Sequence, residues 1–194
     1  DLGTVPEGFR PAMEAAGILS YRVLYFERTD DGGFLPPAGF PRRAMVTITT
    51  HDLPTFKGYW NGRDMEWRRR LDLYPDPAAA DKDIWDRGVD RWRLLQALGR
   101  EGLRPASYPT DDGGQPFSPA LVEAVHHHLG RTPGQIVMVQ VEDALGEIEQ
   151  PNLPGTTDQH PNWRRRLPEP LEALPDHDGL KAVAAAVAAG RADR

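Results

Sequence analysis

The stretch that decides the fold reads Ala44-Met45-Val46-Thr47-Ile48-Thr49-Thr50-His51-Asp52-Leu53-Pro54-Thr55. Its first six residues form an apolar run rich in β-branched side chains, which is typical of a buried strand. Thr50, His51 and Asp52 then follow at the C-terminal end of that strand, where barrel enzymes keep their catalytic residues. Pro54 cannot donate to a strand ladder and disfavours helix at the residue before it, so the turn after Asp52 should be tight. The pattern is equally compatible with a plain strand end, in which Asp52 forms a turn or caps a helix.

Strand and helix patterns alternate along the rest of the chain. Residues 20–27 and 135–141 are predicted as strands, and the second, an unbroken apolar run, indicates a strand covered on both faces. Helices are predicted at 6–16, 63–73, 81–98, 120–129 and 180–189. The apolar side predicted for the helix at 81–98 consists of Ile84, Trp85, Val89, Trp92, Leu95 and Leu98. This alternation, with long polar loops after the strands, predicts an α/β fold with a parallel sheet.

Composition and charge exclude several classes of function. The 194 residues include no cysteine, so disulfides and thiol redox chemistry are not expected, and a reducing cytoplasm is the expected location. No stretch approaches the roughly 18 apolar residues of a membrane span. The formal net charge is −6, which does not favour nucleic acid or an anionic membrane surface as a partner. A neutral ligand fits this balance without being demanded by it.

Some residue clusters invite a functional interpretation and also have a simpler structural one. The aromatic residues of Gly58-Tyr59-Trp60 could stack on the apolar face of a sugar ring, or the cluster could pack in the core at a helix start. The run His126-His127-His128 cannot converge on one metal ion, because consecutive helical residues point about 100° apart, so these are expected to be surface residues. Arg22, inside a predicted strand, is expected to pair with a carboxylate.

The most specific stretch lies after the last predicted strand. Glu142-Asp143-Ala144-Leu145-Gly146 is followed by Gln150-Pro151-Asn152-Leu153-Pro154-Gly155-Thr156-Thr157-Asp158-Gln159-His160-Pro161-Asn162-Trp163-Arg164-Arg165-Arg166-Leu167. A loop this rich in Pro, Gly, Asn and Asp should have fixed turns and exposed backbone donors, which suits either a hydroxyl-bearing ligand or a stiff connector. Together with Thr50-His51-Asp52 and Gly58-Tyr59-Trp60, it resembles the 4-α-glucanotransferases, the amylomaltase or disproportionating-enzyme family. Asp1-Leu2-Gly3 is also similar to a family motif.

The resemblance implies the C-terminal half of a (β/α)₈ TIM barrel with inserted helices, which is an incomplete barrel. Residues 1–194 would form this part, with a helical insertion at 61–117, a loop on the active-site side at 142–167 and a terminal helix at 168–194. The implied activity moves α-1,4-glucan segments between maltooligosaccharides by a retaining double displacement, without cofactor or metal. The family's nucleophile and acid/base would lie upstream of Asp1, so the chain alone is expected to be inactive and to need its missing N-terminal half as a partner.

Within this chain the resemblance assigns catalytic roles to two residues. Asp52 would be the third carboxylate, which stabilises the transition state, and His51 would contact a sugar hydroxyl. The implied substrate-binding residues are Asp1, Thr50, Trp60, Asn152, Pro154 and Gly155. Two alternatives stay open, a glycoside hydrolase of the α-amylase superfamily and a non-catalytic glucan-binding fragment. If the resemblance failed at Asp1, the candidates for acid and nucleophile would be Glu142, Asp143 and Asp158.

Overall fold

The computed structural model describes residues 6–109 and 114–194. It contains three short strands, seven α-helices and three 3₁₀ segments within those ranges. The strands are β1 (Ser20–Val23), β2 (Ala44–Thr47) and β3 (Ile136–Val137). The helices are α1 (Phe9–Ala15), α2 (Phe56–Asn61), α3 (Arg63–Arg70), α4 (Pro77–Arg100), α5 (Pro119–Gly130), α6 (Val141–Leu145) and α7 (Asp178–Ala192). The 3₁₀ segments are Leu24–Phe26, Pro37–Gly39 and Leu171–Asp176.

The strands form one parallel sheet in the order β1-β2-β3. Its central strand, β2, belongs to the stretch at 44–55 that decides the fold. Ala44 pairs with Ser20 on one side of β2, and Val46 pairs with Val137 on the other. Ala44, Val46 and Ile48 are buried, as the apolar run predicted. Parallel strands need crossover connections. Helices α2 to α5 supply the one between β2 and β3, whereas a loop with two 3₁₀ segments joins β1 to β2. The parallel sheet with its helices confirms the predicted α/β class.

The outer strands are shorter than predicted. The segment predicted at 20–27 leaves the sheet after Val23, because its partner β2 ends at Thr47, whose Oγ1 donates to the Thr49 carbonyl and starts a turn. Arg22 contacts Glu27 at 3.3 Å, which confirms the expected ion pair.

The strand predicted at 135–141 pairs over two residues, and Val141 already begins α6. Ile136 and Met138 are exposed, so the expectation of a strand covered on both faces is wrong for the described chain. An apolar run alone does not reveal what covers it.

The predicted apolar side of α4 is buried only at its C-terminal end. Leu95 and Leu98 lie in the core, whereas Trp85 is 72% exposed, and Ile84 and Trp92 are also exposed. Besides the packing of buried Ala80, ion pairs hold the rest of α4 to its neighbours. In the pair Arg87–Asp64 both distances from guanidinium nitrogen to carboxylate oxygen are 2.9 Å, and in the pair Arg28–Asp90 both are 2.8 Å.

The prediction that the histidines of α5 lie at the surface is wrong for His126 and His128. His126 and His128 are buried, because α5 packs against α7 along its length and also contacts α4. Burial lowers the pKa of each to about 4. His127 instead contacts Asp193 of the α7 end at 2.8 Å. No group of three or more His, Asp or Glu in the described residues could hold a metal ion.

None of the helices within residues 6–109 and 114–194 has both the length and the apolar composition that a membrane span requires. The division into an insertion at 61–117, a loop at 142–167 and a terminal helix at 168–194 stays a prediction.

Candidate active site

The turn after β2 presents His51 and Asp52 to solvent. Thr50 Oγ1 accepts from the Asp52 backbone amide at 3.2 Å, and the Leu53 amide donates to the Thr50 carbonyl at 3.1 Å. Thr49 Oγ1 donates to the Pro54 carbonyl at 2.9 Å, which closes the turn from below. The turn is therefore tight, as Pro54 predicted. It leaves the side chains of His51 and Asp52 57% and 46% exposed.

A second segment meets this turn one hundred residues further along the chain. Asn152 Nδ2 donates to Asp52 Oδ1 at 2.6 Å, and the Asn152 amide donates to the His51 carbonyl at 3.2 Å. His51 Nε2 lies 3.4 Å from Asp52 Oδ2. The two motifs singled out from the sequence thus converge on one carboxylate, whose two oxygens face different neighbours.

The loop that carries Asn152 is folded around the side chain of Asn162. Asn162 Oδ1 accepts from the Leu153 amide at 2.9 Å and lies 2.7 Å from His160 Nδ1. Asn162 Nδ2 donates to Thr156 Oγ1 at 2.9 Å. A short local network of this kind fixes a loop without a core of its own.

Glu149 ties the start of that loop to α3. It accepts from Arg63 Nη2 at 2.6 Å and from Trp67 Nε1 at 2.7 Å, and Arg165 lies 3.3 Å away. Burial raises the pKa of Glu149, but the hydrogen bonds from Arg63 and Trp67 outweigh burial and hold it below its ordinary value. His160 adds an edge-to-face contact with Trp67, at 4.9 Å between ring centroids.

The segment before the loop docks on the first turn of α2. Thr55 caps α2 by accepting from the Gly58 amide at 3.0 Å, and its hydroxyl donates to the Glu147 carbonyl at 2.8 Å. Asp143 Oδ1 accepts from the Phe56 amide at 2.6 Å. A Cβ at Gly58 would lie 2.5 Å from the Ile148 carbonyl oxygen, so the close approach requires glycine.

Asp143 is a buried carboxylate that lies behind the turn rather than in the cleft. Burial raises its pKa to about 7. Its Oδ2 has no hydrogen-bond partner among the described residues.

Other sequence-predicted site residues lie elsewhere. Trp60 is 1% exposed and donates to the Gln115 carbonyl at 2.8 Å, so its ring is a core element and is not open for stacking on a ligand, which corrects the expectation. Thr50 is buried and acts through its hydroxyl on the turn. Pro154 and Gly155 line a separate groove of about 500 Å³ together with Tyr74 and Asp83 of the α3–α4 region. Asp1 lies outside the described residues.

An open cleft of about 280 Å³ lies beside His51. Its lining includes Gln140, Pro151, Trp163 and Arg166. The sequence does not predict a functional role for Trp163, although Trp163 belongs to the motif at 150–167. Residue identity alone does not show that its indole is exposed in the cleft.

Comparisons with known proteins agree with one another. The sequence model of the 4-alpha-glucanotransferase family matches residues 1–172. A 4-alpha-glucanotransferase of Haemophilus influenzae is 32% identical over 191 residues, covering 98% of this chain and 27% of that protein. One of Mycobacterium tuberculosis is 37% identical over 177 residues, covering 88% and 23%. The chain therefore spans about a quarter of the length of these curated relatives.

Solved structures show the same likeness. The crystal structure of amylomaltase from Corynebacterium glutamicum superposes with a TM-score of 0.86 at 27% identity, over 98% of this chain and 28% of that one. An amylomaltase from Streptococcus agalactiae, solved in complex with acarbose, has a TM-score of 0.59 at 16% identity, over 97% of this chain and 31% of that one. The second likeness is one of fold alone.

Proposed function

Because the chain belongs to the 4-alpha-glucanotransferase family, we propose that the complete protein containing it transfers α-1,4-glucan segments between maltooligosaccharides. The reaction would be a retaining double displacement. In it, one carboxylate attacks the anomeric carbon and forms a glycosyl-enzyme, while a second protonates the leaving oxygen and later deprotonates the acceptor hydroxyl. Both of those carboxylates would lie upstream of Asp1.

The observation that carries the proposal is the hydrogen bond between Asn152 and Asp52. It joins the Thr-His-Asp motif to the Pro-Gly-rich motif at the C-terminal end of a parallel strand, which is where such enzymes do their chemistry. Each motif resembles the family separately, and their contact supports a shared role at one sugar.

Asp52 would act on the positive charge that develops at the anomeric centre. With Asn152 held on Oδ1, the carboxylate keeps a fixed direction, and a preorganised charge of this kind stabilises a transition state without reorganising during the reaction. His51, largely exposed beside Oδ2, is in a position to exchange a hydrogen bond with a hydroxyl of the same sugar.

For the fold, we propose the C-terminal half of a (β/α)₈ barrel. The support is a three-stranded parallel sheet with a helical crossover from β2 to β3, and the exposure of Ile136 in the edge strand β3 and of Met138 directly after it. In this proposal further strands of the same protein pair with β1 and β3 and close the barrel. The cytoplasmic location expected from the sequence stays a prediction.

The test is to incubate the complete protein with maltotriose and separate the products by chromatography. A glucanotransferase gives glucose together with maltooligosaccharides longer than the substrate, because the glycosyl-enzyme is intercepted by a second sugar. A hydrolase of the α-amylase superfamily gives glucose and maltose alone, and that outcome would overturn the proposal.

A further inference from the structure

Trp163 has an unusual backbone. Its φ is +59°, in the left-handed region that bulky side chains rarely adopt, and among the described non-glycine residues it shares a positive φ with Asp72. Strain of this kind persists when surrounding contacts impose it, and it is concentrated at functional sites.

The contacts that impose the strain come from the loop backbone. The Trp163 amide donates to the Pro151 carbonyl at 3.0 Å, one residue before Asn152. The preceding residue, Asn162, is the centre of the loop network and accepts from Leu153. The conformation of Trp163 is thus coupled to the segment that holds Asp52.

Burial of the indole does not offset the backbone strain. The indole is 64% exposed, and it lines the cleft beside His51. The centroid of its ring lies 5.1 Å from that of His51, with 51° between the planes. His51 Nε2 is in turn 3.4 Å from Asp52 Oδ2, so indole, imidazole and carboxylate are contiguous.

We propose that the indole of Trp163 is a stacking platform for a glucosyl ring of the bound α-1,4-glucan, next to the ring that meets Asp52. The inference rests on the proposed function, because it takes the ligand to be a neutral glucan. A pyranose presents C–H groups on a flat, apolar face, and a rigid indole can cover that face with little loss of conformational entropy. The neighbouring polar groups of His51 and Gln140 would meet the hydroxyls at the ring edge.

The test is calorimetric titration of the complete protein with maltoheptaose, in an Asp52→Asn background that slows turnover by the factor expected for the lost transition-state interaction. Trp163→Ala should raise the Kd roughly fivefold to tenfold. Trp163→Phe keeps a smaller aromatic ring, so its Kd should lie between those of the parent and the alanine variant. Trp85→Ala is the matched control, because Trp85 is exposed on α4 and does not line the cleft. It should leave the Kd unchanged.

Trp163→Gly separates a binding role from a structural one. Glycine tolerates the positive φ, so this variant removes the ring and the strain together. We expect its Tm not to fall while its Kd rises as in the alanine variant. An unchanged Kd in both variants, or a fall in Tm showing that the indole packs against the rest of the protein, would overturn the inference. Absence of transfer to maltotriose by a parent protein that still binds maltoheptaose would instead overturn the proposed function alone.

Discussion

Replacing Asp52 by asparagine in the complete protein tests the transition-state role directly, because the change removes the charge and keeps the shape. An amide oxygen can still accept from Asn152 at 2.6 Å, so the turn should stay in place. The side chain is 46% exposed, and the free energy of unfolding should change by less than about 0.5 kcal/mol. Loss of one interaction aimed at developing charge costs about 3–4 kcal/mol of activation free energy. That corresponds to a fall of about 150- to 900-fold in kcat, with KM little changed.

The assay is the initial rate of glucose release from maltotriose, with circular dichroism to confirm folding. Asp158→Asn is the matched control, because Asp158 is an exposed carboxylate on the same loop, paired with Arg164 at 3.3 Å. It should retain the parent kcat. His51→Ala should lower kcat roughly 2- to 13-fold, the worth of a neutral hydrogen bond. A kcat within tenfold of the parent for Asp52→Asn would refute the reasoning, and equal losses at His51 and Asp52 would indicate a collapsed turn.

Three further predictions concern other parts of the molecule. The pKa of Asp143, about 7 when folded, is raised by burial, so the folded protein binds a proton that the unfolded one has released; stability should therefore fall as pH rises from 5 to 7 and level off above it. Calorimetric Tm values from pH 5 to 8 should show this slope in the parent and not in Asp143→Asn, and an equal slope in both would contradict the assignment. Gly190→Ala should destabilise the α5–α7 contact, because its Cβ would overlap the His127 carbonyl oxygen, whereas Gly88→Ala, facing open space inside α4, should stabilise by about 0.5–1 kcal/mol; denaturant titration that ranked the two variants in the opposite order would refute this packing. The 194-residue chain alone should release no glucose from maltotriose and gain activity on co-refolding with the upstream part, and activity of the chain by itself would reopen the search for its nucleophile.

The sequence predicts the structure correctly where interactions between residues close in the chain determine it. The pair Ser118-Pro119 is typical of a helix start, with serine as the N-cap and proline at the first helical position. In the structure Ser118 Oγ accepts from the Leu121 amide at 3.3 Å at the start of α5. The buried strand β2 and the tight turn after it follow from side-chain shape and from Pro54, neither of which depends on distant residues.

The errors occur where the environment decides. Trp85 and Trp92 recur at helical spacing like core residues, but whether they are buried depends on what packs against α4, and ion pairs hold that half of the helix. His126 and His128 are polar and are predicted at the surface, but α5 is covered by α7 and α4, so both side chains are buried. Trp163 was unassigned because its exposure follows from a backbone φ that residue identity does not reveal.

The segment after β3 acts as a brace for the candidate carboxylate. It docks on the first turn of α2 through Asp143 and on α3 through Glu149, so that it is fixed at two points before it reaches Asn152. Asn152 then restrains Asp52 from the side opposite His51. An exposed aspartate on an unsupported turn would sample several rotamers, and each would have to be reordered in the transition state. Because Asn152 is held in place, Asp52 keeps a fixed orientation without being buried, and it stays accessible to a ligand. Electrostatic stabilisation of a sugar cation requires both properties.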